Sequence, residues 1–158
     1  DSSTSRGLGD VYKRQVLDVS NETTVKKFVS GIKERGIILD KFAKGEIEVL
    51  TSMKCLDEGV DVPRSEMAIF CASTGNPRQF IQRRGRILRK HPDKHMAVIH
   101  DLVVVPEINS EQENYAMERN LLQSELKRVH DFAILSENAD FAYTELEDVT
   151  SYYNLSIF

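Results

Sequence analysis

Arginines at positions 83, 86 and 89 recur every third residue within Gln79 to Arg89, QFIQRRGRILR. Residues three apart lie on one side of an α-helix, and Pro77 suits the first helical position. The spacing therefore predicts a helix from Pro77 to Leu88 with Phe80, Ile81, Ile87 and Leu88 turned inward and a stripe of guanidinium groups outward. Crowded like charges repel unless an anion lies against them, and the planar fork of arginine matches phosphate oxygens. A polyphosphate is the expected guest; a merely solvated basic face is the competing account.

About twenty residues upstream lies a second informative stretch, Leu50 to Pro63, LTSMKCLDEGVDVP. The apolar run Ile47 to Leu50 predicts a buried strand, and the loop after it holds Asp57, Glu58, Gly59 and Asp61. Ligands in α/β sheets gather beyond the C-terminal ends of strands. The acidic loop and the arginine stripe are thus expected to face one another across a crevice, with Asp61 placed for a ribose hydroxyl and the arginines for phosphates.

In these residues the chain resembles the superfamily 2 helicases. LTSMKCLDEGVDVP is similar to motif V, and QFIQRRGRILR to motif VI, of their second RecA-like domain, in the DEAD/DEAH-type variety related to type III restriction enzyme helicase subunits. The resemblance runs from about Phe28 to Val105. It implies a RecA-like parallel sheet flanked by helices, truncated at its N-terminus where motif IV would lie, and followed by a C-terminal helical extension. It also implies that Arg86 and Arg89 act as arginine fingers toward a γ-phosphate, with Gln82 reading that phosphate or its attacking water. Gly85 would permit close approach, and Arg83 would tie motif VI to its domain. Asp61 with Gly59 would contact the ribose, while Thr51 and Ser52 would hold the backbone of a nucleic-acid strand. Glu34-Arg35 and Phe42 to Gly45 resemble the segment before motif V, which adds Arg35 to the nucleic-acid path. ATP and Mg2+ would be bound mainly by a first RecA-like domain of the same parent chain, the expected partner together with double-stranded DNA. No GxxxxGK[ST] loop or DExD/H box occurs in the sequence, so half an active site is expected, inactive by itself.

A net charge of -4 disfavours a purely electrostatic nucleic-acid binder, yet the charge is unevenly spread. Between Arg78 and Lys94 seven basic residues stand against Asp93 alone, whereas from Glu107 onward eleven acids outnumber Arg119, Lys127 and Arg128. Anion binding is therefore expected only in the middle. Cys55 and Cys71 form no CxxC or secreted framework and are expected to be reduced, buried thiols. Pro92 between His91 and His95 prevents a helical ligand pair, and no metal site is assigned. No apolar run is long enough to span a membrane, and the start lacks a signal-peptide centre, which leads to the expectation of a cytoplasmic protein without membrane contacts.

Taken in order, Asp1 to Gln15 lacks apolar periodicity and reads as a non-native segment. Residues 16–105 are assigned to the partial helicase domain and 106–158 to the helical extension. Val16 to Val19 is a weak strand signal, as is Val25 to Val29. Lys33 to Lys44 predicts a helix with Ile37, Ile38, Leu39 and Phe42 inward, ended by Gly45. Strands are expected at Met67 to Ala72 and Ala97 to Val105, the alternation with helices implying parallel pairing. A long helix from Asn109 to Asn138 would be lined by Tyr115, Leu122, Leu126, Val129, Phe132 and Ala133. A shorter one from Asp140 to Tyr153 would turn Phe141, Leu146, Val149 and Tyr153 inward. Set against the motor is a different class of function, a standalone module that clamps nucleic acid or a phosphorylated ligand without ATPase activity.

Overall fold

The computed structural model describes residues 2–29, 31–52, 62–71, 81, 84–108 and 114–157, with side chains from residue 10 onward. Its elements are α1 (Ser2–Val19), β1 (Val25–Phe28), α2 (Arg35–Ala43), β2 (Val49–Ser52), β3 (Met67–Phe70), β4 (Val98–Asp101), α3 (Tyr115–Ala133), α4 (Ala139–Thr144) and α5 (Glu147–Tyr152). The chain divides into two compact units, residues 1–68 with 78–100, and residues 69–77 with 101–158.

The fold is α/β, with short parallel pairs of strands and flanking helices. In the first unit β1 and β2 pair in parallel, Val25 opposite Val49 through Phe28 opposite Ser52. Among the described residues the strands form two pairs, β1 with β2 and β3 with β4. Along β3 and β4, Val98 N–H donates to Glu66 O at 2.7 Å and Leu102 N–H to Phe70 O at 3.1 Å. Both partners advance along the chain together, as only parallel strands do.

Phe28, Val29, Ile38, Ile47, Val62 and Ile87 form the core of this unit, with Leu39, Phe42 and Leu50 packed against it. Helix α2 ends where Gly45 predicts. Gly45 has φ +78°, its N–H donates to Phe42 O, and Glu46 N–H donates to Lys41 O, the paired bonds of a Schellman turn. Two details differ from the periodicity. Ile37 is 58% exposed because the buried arc centres on Ile38 and takes Leu39 and Phe42 as its neighbours. Strand β2 begins at Val49 rather than Ile47. Ile47 is buried ahead of the strand, while Glu48 and Val49 both donate to Thr24 O and start the pairing.

The N-terminal stretch is helical, and Val16 to Val19 form its last turn rather than a strand, with Ser20 N–H donating to Val16 O at 2.9 Å. Lys13, Arg14, Gln15 and Leu17 are adequate helix formers, and their preference carries the turn through the valines. Lys27 of β1 pairs with Asp10 at 2.6 Å.

In the second unit Leu122, Leu126, Val129 and Ala133 of α3 are buried at helical spacing, as expected. Leu122 and Leu126 share a core with Val149 and Tyr153, against which Tyr115, Leu146 and Tyr152 pack. Asp140 to Tyr153 is two short helices instead of one: Leu146 leaves helical geometry between α4 and α5 and turns into this core, while Phe141 stays exposed. Arg128, buried on α3, donates to Asp101 at the end of β4 and to Glu125 at 2.5 Å. Burial pushes the Asp101 carboxyl up, and the Arg128 guanidinium partly opposes the shift.

Candidate functional site

Because β1 and β2 run parallel and finish level, Phe28 opposite Ser52, their C-terminal ends share one edge. Thr51, 7% exposed, and half-buried Ser52 close β2 at that edge. Arg35 opens α2 just beyond it, and its guanidinium carbon lies 4.9 Å from the centroid of the Phe28 ring. A cation over an aromatic face is held by the ring quadrupole, which fixes where the charge stands. All three residues expected on the nucleic-acid path therefore belong to one strand-end ledge.

Of the arginine segment, Ile81 and residues 84–90 are described, with helical geometry at Ile81 and at 84–87. Leu88 N–H donates to Arg84 O at 3.0 Å. Ile87 is buried in the core that holds Phe28 and Leu50, so the arginine turn and the strand-end ledge are built on one hydrophobic base. Arg86 is half-buried, Arg89 is exposed, and Gly85 is exposed with no described atom within 4 Å of where a Cβ would stand. Of the four positions the spacing turns inward, Phe80 lies outside the described residues and one of the other three is buried. Ile81 is 53% exposed and Leu88 is also exposed, because the turn is seated by Ile87 alone of these three.

Gln82, Arg83, Gly59 and Asp61 lie outside the described residues, as do the rest of the motif V loop and Cys55. Cys71 is exposed, contrary to the expectation of a buried thiol, since it follows the last residue of β3 instead of facing a core. His91 stands beside Asp93, with its Nδ1 3.8 Å from Oδ2, and it accepts the Asp93 N–H at 3.3 Å. Among the described residues no group of three or more His, Cys, Asp or Glu could hold a metal ion.

Two cations that periodicity does not single out organise the surroundings of the motifs. Arg64 donates through Nη1 to Ala43 O at 2.7 Å, at the end of α2. Lys94 donates through Nζ to Ile87 O at 2.5 Å, Ser65 O at 3.0 Å and Pro63 O at 3.1 Å. Burial lowers the Lys94 pKa, with Glu66 acting in the opposite direction. Both residues satisfy carbonyls that only the folded chain brings near, a signal absent from local sequence.

Residues 14–91 match the model of the helicase conserved C-terminal domain. This stretch belongs to that family, in its superfamily 2 form. The chain is 53% identical over 57 residues to the DNA 3'-5' translocase XPB2 of Sulfurisphaera tokodaii, covering 36% of this chain and 13% of the relative. It is 37% identical over 103 residues to the putative ATP-dependent helicase IRC3 of Saccharomyces cerevisiae, covering 65% and 14%. With the DNA 3'-5' helicase XPB of Mycobacterium tuberculosis it shares 30% identity over 93 residues, covering 58% and 16%. The matches span 5% to 19% of the lengths of such curated relatives. A solved structure of Mss116p DEAD-box helicase domain 2 bound to an RNA duplex covers 86% of this chain and 58% of its own, at TM-score 0.42 and 15% identity. Among the described residues no helix is long and apolar enough to cross a membrane.

Proposed function

We propose that the chain is the second, RecA-like lobe of an ATP-dependent nucleic-acid helicase or translocase. The carrying observation is the seating of the Gly85-Arg86-Ile87 turn on the same core as the Thr51-Ser52 strand end, inside a helicase C-terminal domain. In this reading Arg86 and Arg89 reach toward the γ-phosphate of ATP held with Mg2+ on a first lobe, and Gln82 orients the attacking water. Fixed positive charge against developing negative charge lowers the barrier without reorganisation at the moment of reaction. Asp61 and Gly59 contact the ribose, and Arg83 braces the motif VI helix. Thr51, Ser52 and Arg35 bind the sugar-phosphate backbone, so β2 and the motif V loop after it connect the strand to the nucleotide. Closure of the two lobes on ATP then moves this lobe along the strand, and hydrolysis releases it.

The relatives named for DNA favour DNA as the track, and the restriction-type resemblance favours its duplex form. The restriction-type affiliation, a cytoplasmic location and the segment assignments at 1–15, 16–105 and 106–158 belong to the same proposal.

The test uses this lobe joined to its ATP-binding lobe. Arg86→Ala should leave the far-UV circular dichroism unchanged and reduce DNA-stimulated ATP hydrolysis by roughly 10³-fold or more, the scale of arginine fingers elsewhere. The 158-residue chain alone should hydrolyse no ATP with DNA and Mg2+. Normal turnover by the Arg86→Ala protein would remove that residue from the active site. Absence of hydrolysis by the unsubstituted two-lobed protein, together with tight DNA binding by the chain alone, would favour the standalone binding module.

A further inference from the structure

The three protons of the Lys94 ammonium go to three main-chain carbonyls, those of Ile87, Ser65 and Pro63. The first of these closes the arginine turn, where a helix leaves carbonyls without an intrahelical partner and welcomes a cation. The other two flank Arg64, in the turn that follows the motif V stretch, where Ser65 N–H donates to Val62 O at 3.0 Å. Arg64 reaches away to Ala43 O and so ties the same turn to the end of α2. Lys94 arrives at this position because residues 91–94 fold back on themselves, with Lys94 N–H donating to His91 O at 3.0 Å.

We infer that Lys94 is a positioning residue: it locks the end of the motif VI turn to the exit of motif V, so that Arg86 and Arg89 keep a fixed aim relative to the strand-binding ledge. The functional half of this inference rests on the motor reading above; the mechanical half does not. Removing the ammonium frees three carbonyls and lets the two segments shift independently. Small misplacements of catalytic groups cost large factors in rate.

Two measurements separate the halves. In the 158-residue chain, Lys94→Met should speed hydrogen exchange at the Leu88 and Arg89 amides by about tenfold or more, while amides of β1 and α3 keep their protection. Lys94→Arg, which retains donors, should recover part of that protection. In the two-lobed protein, Lys94→Met should lower kcat for DNA-stimulated ATP hydrolysis by about tenfold with KM for ATP little changed, and Lys94→Arg should restore part of it. Unaltered exchange at Leu88 and Arg89 in Lys94→Met would overturn the inference, as would unaltered kcat. Global loss of protection in Lys94→Met that Lys94→Arg cures without recovering kcat would make Lys94 merely structural and overturn it too. A faster-exchanging variant in a two-lobed protein that never hydrolyses ATP would overturn the motor reading and leave the lock standing.

Discussion

Lys94 of the first unit and Arg128 of the second hold their charge in opposite ways. In the first, Lys94 and Arg64 direct their charge onto carbonyls at the ends of short elements, and its core members are aliphatic apart from Phe28. In the second, Arg128 meets two carboxylates, Asp101 and Glu125, beside a core that contains Tyr153 and is flanked by Tyr115 and Tyr152. A cation on carbonyls sets the geometry of loops without demanding a matching acid. An ion network instead makes its unit dependent on every member being present. The turn after Val62 in the first unit is thus fixed through main-chain atoms.

That contrast can be broken most sharply at Arg128. Arg128→Leu removes the cation shared by two partly buried acids and should cost about 3–5 kcal/mol in chemical denaturation. If the loss is under 1 kcal/mol, the network is not what the second unit depends on. A smaller effect is expected in the first unit from Gly45→Ala. An L-residue at φ +78° is strained, and the new Cβ would meet the Arg64 guanidinium at 3.2 Å, so about 1–2 kcal/mol should be lost. Little change in the melt would show that the end of α2 relaxes freely and that Arg64 does not hold it.

The mildest effect is confined to alkaline solution. Tyr153 is fully buried, and burial, reinforced by its hydrogen bond to Glu118 at 2.7 Å, pushes its hydroxyl up to about 12. A phenol whose folded pKa is raised holds its proton more tightly when folded. Its contribution is intact below the unfolded value near 10 and is lost as pH rises from there through about 12. Tyr153→Phe should flatten stability across that window, and an unchanged slope would assign the alkaline loss to another group.

How much of this was legible depended on whether the signal was local. The Schellman end of α2 was readable because Gly45 states its own backbone conformation, and the buried stripe of α3 because 3.6-residue periodicity survives nineteen residues. The basic segment raised the expectation of an anion, but its seating did not follow from spacing. Of the three described positions expected inward, Ile87 is buried and Ile81 and Leu88 are exposed, since a turn so brief is fixed by its surroundings. Lys94 and Arg64 carry no periodic mark at all. Their partners lie 7 to 31 residues away, and only the tertiary fold makes them neighbours.

The level finish of β1 and β2 has a consequence for how this gene can vary. Strand residues alternate between faces, so deleting one codon between Ala43 and Val49 would have to be absorbed in the connecting turn or would slide β2 by one place. A slide would turn the hydroxyl of Thr51 inside out and send its neighbours to the wrong face. Insertions should therefore collect in other connections, and the length of this one should be as invariant as any residue in it.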